Sequence, residues 1–354
     1  MSKTEHAQTT RRLLGSLRAC PELVEGCLRV FVAILPLTFL VAASPAHRSA
    51  TQPPAFRSRT DLVALAVTVV DANQRPMLGL SKDAFSLTED DRPQPIVQFT
   101  GDSVPLSLAI ALDASTSMKG RRFEYARDAV WRLLDHLAPE DEVCVYGFND
   151  LPFVIAPWTS DVHTVERSLL TVSPDGNTAL YATVSSALGA LATSHHRRQA
   201  MVVISDGNDR DPSDNPMHRG PASTSPLDVT PGPDPLSPSR RRLIPLLDRI
   251  GRSEALIYAI GIDVPNRGND PLDHAALRQL TDPTGGFTEI VHADTDAVTV
   301  AERIAAELRH QYLLGFVPAH PDDGKFHRVR VTVTGCVCHV RARAGFVADR
   351  RKSR

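Results

Sequence analysis

Three short stretches of this 354-residue chain carry side chains able to hold a cation. The stretch LDASTS puts Asp113, Ser115 and Ser117 on alternating positions directly after an apolar run. SPDGNTALYAT offers Thr178, and VVISDGND ends another apolar run in Asp206. The set is two carboxylates and three hydroxyls, without His or Cys. Hard oxygen donors of this kind suit Mg²⁺, Mn²⁺ or Ca²⁺, and suit zinc or copper poorly. Taken singly, each residue has a plainer use, since Ser and Thr commonly cap helices and Asp commonly occupies turns. Their joint placement, each at the end of a similar element, favours a shared site.

Those elements follow from the hydrophobic pattern. Residues 105–113, 142–148, 198–206 and 254–262 are continuous apolar runs, as expected of strands covered on both faces. Between them apolar residues recur at steps of three and four: Phe123, Ala126, Val130, Leu133, Leu134 and Leu137, then within 161–170 and 179–191. Residues 296–308 repeat this with Ala297, Ala301, Ile304, Ala305 and Leu308. The alternation predicts an α/β fold with a doubly wound parallel sheet, whose ligands bind at the carboxyl ends of the strands. One interruption, residues 209–242, is dominated by Pro, Ser, Asp and Gly. It lacks the apolar area to offset its ordering entropy and is expected to be a long mobile loop, with Asp209, Asp211 and Asp214 solvated.

The five residues, in this order and at these element ends, resemble the metal-ion-dependent adhesion site of von Willebrand factor A (VWA) domains: D-x-S-x-S at 113–117, then Thr178, then Asp206. The resemblance covers roughly residues 104–310 and extends to a bacterial, exported branch of the family with β-rich flanks. It implies a Rossmann-like VWA domain in which Ser115, Ser117 and Thr178 ligate Mg²⁺ (or Mn²⁺ or Ca²⁺), while Asp113 and Asp206 supply charge and orient ligands or waters. It also implies that a protein partner's Asp or Glu carboxylate completes the metal's shell, because neutral hydroxyls leave the cation electrophilic. The insertion that begins three residues after Asp206 departs from the family pattern and bears on how exposed the metal face is.

Enzymatic readings fit less well. A haloacid-dehalogenase-type phosphatase would use Asp113 as nucleophile and the SDGND run for Mg²⁺, but Ser115 stands where its second acid belongs and Lys119 comes too early. No G-x-S-x-G elbow and no P-loop G-x-x-x-x-G-K occurs. The expectation is a binding protein without catalytic residues, the alternative being a scaffold whose metal is purely stabilising.

Composition agrees with a globular protein: 42% hydrophobic, 23% charged, and a formal net charge of −2 that gives no electrostatic footprint for nucleic acid. Residues 30–43 form an apolar run too short to span a bilayer and are followed by small residues, which predicts a signal peptide over 1–46 and a periplasmic or extracellular protein with no remaining membrane span. The flanks, 55–103 and 311–348, alternate in polarity, with Val329, Val331 and Val333 opposite Arg328, Arg330 and Thr332. Each holds about three strands, too few for a stable sheet, so together they are expected to make one β-sandwich of about six strands into which the VWA domain is inserted. Cys336 and Cys338, two apart in an apparent strand, are expected not to bond to each other. With His339 they form a C-V-C-H run that lacks the second ligand pair of a zinc site.

Overall fold

The computed structural model describes residues 62–101, 104–210, 237–265, 271–292, 297–320 and 323–348. The chain divides into two units, Met1–Arg57 and Ser58–Arg354. The first unit, with the predicted signal peptide, lies outside the described residues, as do residues 211–236 of the predicted loop.

Short strands separated by turns open the second unit: β1 (Val63–Val70), β2 (Phe85–Glu89), β3 (Arg92–Gln94) and β4 (Ile96–Thr100). The turn after β1 is closed by Asp71, whose Oδ1 accepts from the backbone N–H of Asn73 and Arg75 at 2.8 and 2.9 Å.

The apolar runs then become the strands of a central sheet: β5 (Leu106–Asp113), β6 (Glu142–Phe148), β7 (Pro152–Thr159), β8 (Arg198–Ser205), β9 (Leu256–Asp263) and β10 (Thr288–His292). Their order is β10-β9-β8-β5-β6-β7, all neighbours parallel except β6 and β7. All eight residues of β5 are buried because both of its faces are covered. Leu106, Leu108, Ile110 and Leu112 pack against α1 (Arg121–Asp135), α2 (Val162–Leu169) and α6 (Ala297–Arg309). Ala109 and Ala111 face the side of α3 (Leu180–Leu191), α4 (Pro238–Arg252) and α5 (His274–Thr281). Strand order reverses around β5, and the crevice this opens between β5 and β8 receives Asp113 and Asp206.

The chain continues into β11 (Tyr312–Phe316), β12 (Phe326–Val333), β13 (His339–Arg341) and β14 (Gly345–Val347). These do not form a sheet of their own. They pair with the opening strands in two four-stranded sheets, β13-β1-β11-β4 and β14-β12-β2-β3. Leu65 stands opposite Leu314 in one and Leu87 opposite Val331 in the other, and these residues join Phe316 and Phe346 in one buried cluster. The flanks thus contribute four strands each where three were expected.

Three local expectations are corrected. Cys336 and Cys338 form a disulfide. They lie in the bend between β12 and β13, where their Cα atoms approach to 5.4 Å, closer than the roughly 6.8 Å spacing of alternate residues in a strand. The predicted loop ends before residue 242, because Pro238 opens α4 and the Ser237 side chain accepts from the N–H of Arg240. Asp209 is not solvated: its side chain is buried, accepts from Arg242 at 2.6 Å and from the backbone N–H of Tyr181 at 3.2 Å.

Candidate metal centre

Asp113 ends β5 fully buried. Its Oδ1 accepts from the backbone N–H of Ser115 at 2.9 Å and its Oδ2 from the Ser205 hydroxyl at 2.6 Å. Ser115 is buried as well, and its Oγ lies 3.0 Å from the Oγ of Ser117 across a single 3-10 turn, Thr116–Met118. Asp206, one residue beyond β8, is fully buried. Its Oδ1 accepts from the N–H of Asn208 at 3.2 Å, and its Oδ2 faces Arg122 Nη1 at 3.3 Å.

Thr178, also buried, precedes α3 and is brought to this edge through backbone contacts. It exchanges two hydrogen bonds with Arg210, four residues beyond Asp206, at 3.0 and 2.8 Å. Its loop is also tied to the Asp113 turn, through Thr116 N–H to Gly176 O at 3.0 Å and Asp175 N–H to Ala114 O at 2.7 Å. Asp150 braces the loop by accepting from the backbone and side-chain N–H groups of Asn177. All five predicted residues therefore sit at the carboxyl edge of the sheet, four linked by a continuous hydrogen-bond path and Thr178 joined through main chain.

Two residues of this edge escaped the sequence reading. Arg122, buried in α1, donates from Nε to the Val264 carbonyl at 2.6 Å and from Nη1 to the Ser117 carbonyl and to Asp206. Ser205 orients Asp113 and also accepts from the N–H of Gly207 at 3.0 Å. The helical pattern marks position 122 only as the neighbour of an apolar Phe123, and nothing local indicates that an arginine there turns inward.

Electrostatics follow from burial. Loss of solvent, with Asp206 beside it, pushes the Asp113 carboxyl up to about 7, against hydrogen bonds from Ser115 and Ser205 that favour its charged form. The edge holds two buried carboxylates and one buried guanidinium, which pairs with Asp206, so fully ionised it carries one excess negative charge. Hydroxyls about 3 Å apart match adjacent ligands on a magnesium octahedron, whose metal–oxygen distances are about 2.1 Å. Among the described residues there is no group of three or more His, Cys, Asp or Glu that could hold a metal. Lys119 pairs with the exposed Asp175, its Nζ 3.0 Å from that carboxylate.

Residues 108–208, which contain all five predicted site residues, match the family model of the von Willebrand factor type A domain. No curated protein matches the sequence. Among solved structures the chain is similar to a von Willebrand factor type A protein from Catenulispora acidiphila, at 12% identity over 84% of this chain and 76% of that one, with a TM-score of 0.46. It is also similar to the conserved hypothetical protein BatB from Bacteroides thetaiotaomicron (18% identity, 56% and 97% covered, TM-score 0.42). A third likeness is to the vWF domain of the type V pili tip protein Mfa5 from Porphyromonas gingivalis (14%, 57% and 94% covered, TM-score 0.41).

Proposed function

We propose that this chain is an exported protein whose VWA-type module binds a protein partner through a divalent cation. Ser115, Ser117 and Thr178 hold the ion, and Asp113 and Asp206 supply charge and orientation. The observation that carries this reading is the pair of buried carboxylates beside two hydroxyls 3.0 Å apart. A bound Mg²⁺ or Mn²⁺ would convert one excess negative charge into one excess positive charge and so attract a partner's Asp or Glu. The chain's own residues prepare the edge for that exchange. Ser205 and the Ser115 N–H fix the Asp113 carboxylate, Arg122 fixes Asp206, and the backbone bridge to Arg210 holds Thr178 in register.

In this reading the flanking sheets are the two halves of one β-sandwich into which the VWA module is inserted. The pairing of β1 with β11 and of β2 with β12 supports it. The protein acts outside the cytoplasm after cleavage near residue 46, and it has no catalytic role.

Calorimetric titration of Mg²⁺ and Mn²⁺ into the wild type and Asp113→Ala tests the metal site. Binding by the wild type and its loss in the variant are expected, and equal affinity would overturn the assignment. Capture of partners from an envelope extract with and without EDTA tests the binding role. A second reading is favoured by the two buried carboxylates, whose repulsion a cation would relieve: the metal is then structural only. Chelation that lowers the melting temperature while leaving partner capture intact would select it.

A further inference from the structure

The opposite edge of the sheet holds a second charged site. Arg198 is the first residue of β8 and pairs in register with Leu106 of β5. It is 5% exposed, and its Nε and Nη1 have no hydrogen-bond partner among the described residues. Such unmet donors on a buried charge are costly. Arg198 lines a cavity of about 50 Å³ between the amino ends of β5 and β8 and the carboxyl ends of α1 and α6. Its remaining walls are mainly apolar, including Leu133, Ala305 and Leu308.

The charge balance there is positive. Asp141 faces the cavity, accepting from the N–H of Leu106 at 2.7 Å and of Ala138 at 2.8 Å, and its single negative charge stands against two guanidiniums. Arg309 adds a second guanidinium on the exposed side, where it donates to the His136 carbonyl. Burial pulls the Arg198 pKa down, Asp141 opposes this and Arg309 adds to it.

We propose that this cavity is a binding site for a small monocarboxylate of acetate or propionate size, its carboxylate on Arg198 and its alkyl end against Leu133 and Ala305. One water needs roughly 10–15 Å³, so a space of about 50 Å³ suits an acid of about four or five heavy atoms better than an aromatic one. A ligand that small binds with a dissociation constant of roughly 0.1–10 mM. The site is independent of the metal reading, because it lies at the other end of β5.

The test is calorimetry and ligand-observed NMR on the full chain in EDTA, titrating sodium acetate, propionate, benzoate or chloride at constant ionic strength. Saturable binding of acetate or propionate is expected, with none for benzoate and no equal effect of chloride. Arg198→Met weakens it at least about tenfold, as loss of a charged donor does. Ala305→Leu fills the cavity and blocks binding without touching the charge, so it reads the site even if the arginine variant fails to fold. Absence of saturable acetate binding overturns the proposal. So do equal binding of benzoate or chloride, and retention of acetate affinity in Ala305→Leu.

Discussion

At Arg122 the chain brings its own cation into an acidic pocket, and this decides how the pocket behaves without a metal. Removing the guanidinium leaves Asp206 fully buried and unpaired, and breaking a pair of this kind costs about 3 kcal/mol or more. Arg122→Met is therefore expected to lower stability in EDTA, and Mg²⁺ is expected to restore more stability to the variant than it adds to the wild type. Chemical denaturation with and without Mg²⁺ measures both, and an equal increment would argue against a shared site. A different residue adds to the response to pH above neutrality. His327 is buried in β12, with Nδ1 2.8 Å from Asp90 and Nε2 3.0 Å from Asp323. Burial disfavours its imidazolium, but the hydrogen bonds with Asp323 and Asp90 prevail and hold its pKa above the ordinary value. Its contribution to stability is complete below the unfolded histidine pKa of about 6.5 and is lost as pH rises through the higher native value. The melting temperature should fall on going from about pH 6.5 to 8, and His327→Gln should flatten that slope. An unchanged slope in the variant rejects the assignment.

Among the elements, the junction after β8 has no room for a side chain at Gly207. Gly207 has φ 79°, and a Cβ there would fall 2.4 Å from the carbonyl oxygen of Asp273, whose own N–H donates to Asp206 O at 2.9 Å. Gly207→Ala is expected to cost about 2 kcal/mol or more, combining left-handed strain with a backbone clash, and to weaken metal affinity by shifting Asp206. Denaturation and calorimetry on the same variant check the two effects together. The same scale shows which elements were legible. β5, β6, β8 and β9 could be read because strands covered on both faces are apolar without interruption. β7 could not, since Pro152 and Pro157 interrupt an antiparallel edge strand whose outer residues are exposed. α4 was hidden by its start in a Pro-rich stretch and by the internal Pro245.

For the molecule as a whole, the two ends of the chain depend on each other. Among the described residues β1 has β11 and β13 as neighbours, and β2 reaches β14 through β12. A chain truncated after residue 310 should keep slow amide exchange in β5, β6, β8 and β9 and lose it in β1 and β2, as hydrogen-exchange mass spectrometry would register. Persistent protection of β1 would reject a joint sandwich.

What the sequence alone determined was whatever burial and local turns write into consecutive residues. That covers β5, β6, β8 and β9 of the central sheet, the helical periods between them, and the expectation that five oxygen donors gather at its carboxyl edge. What only the tertiary structure decided were encounters between distant positions: Arg122 with Asp206, Ser205 with Asp113, and Arg198 enclosed beneath α1 and α6. Periodicity reports which face of an element is dry, whereas the partner of a buried charge depends on which other element closes over it. A single arginine on an otherwise amphipathic helix carries no local mark of that choice.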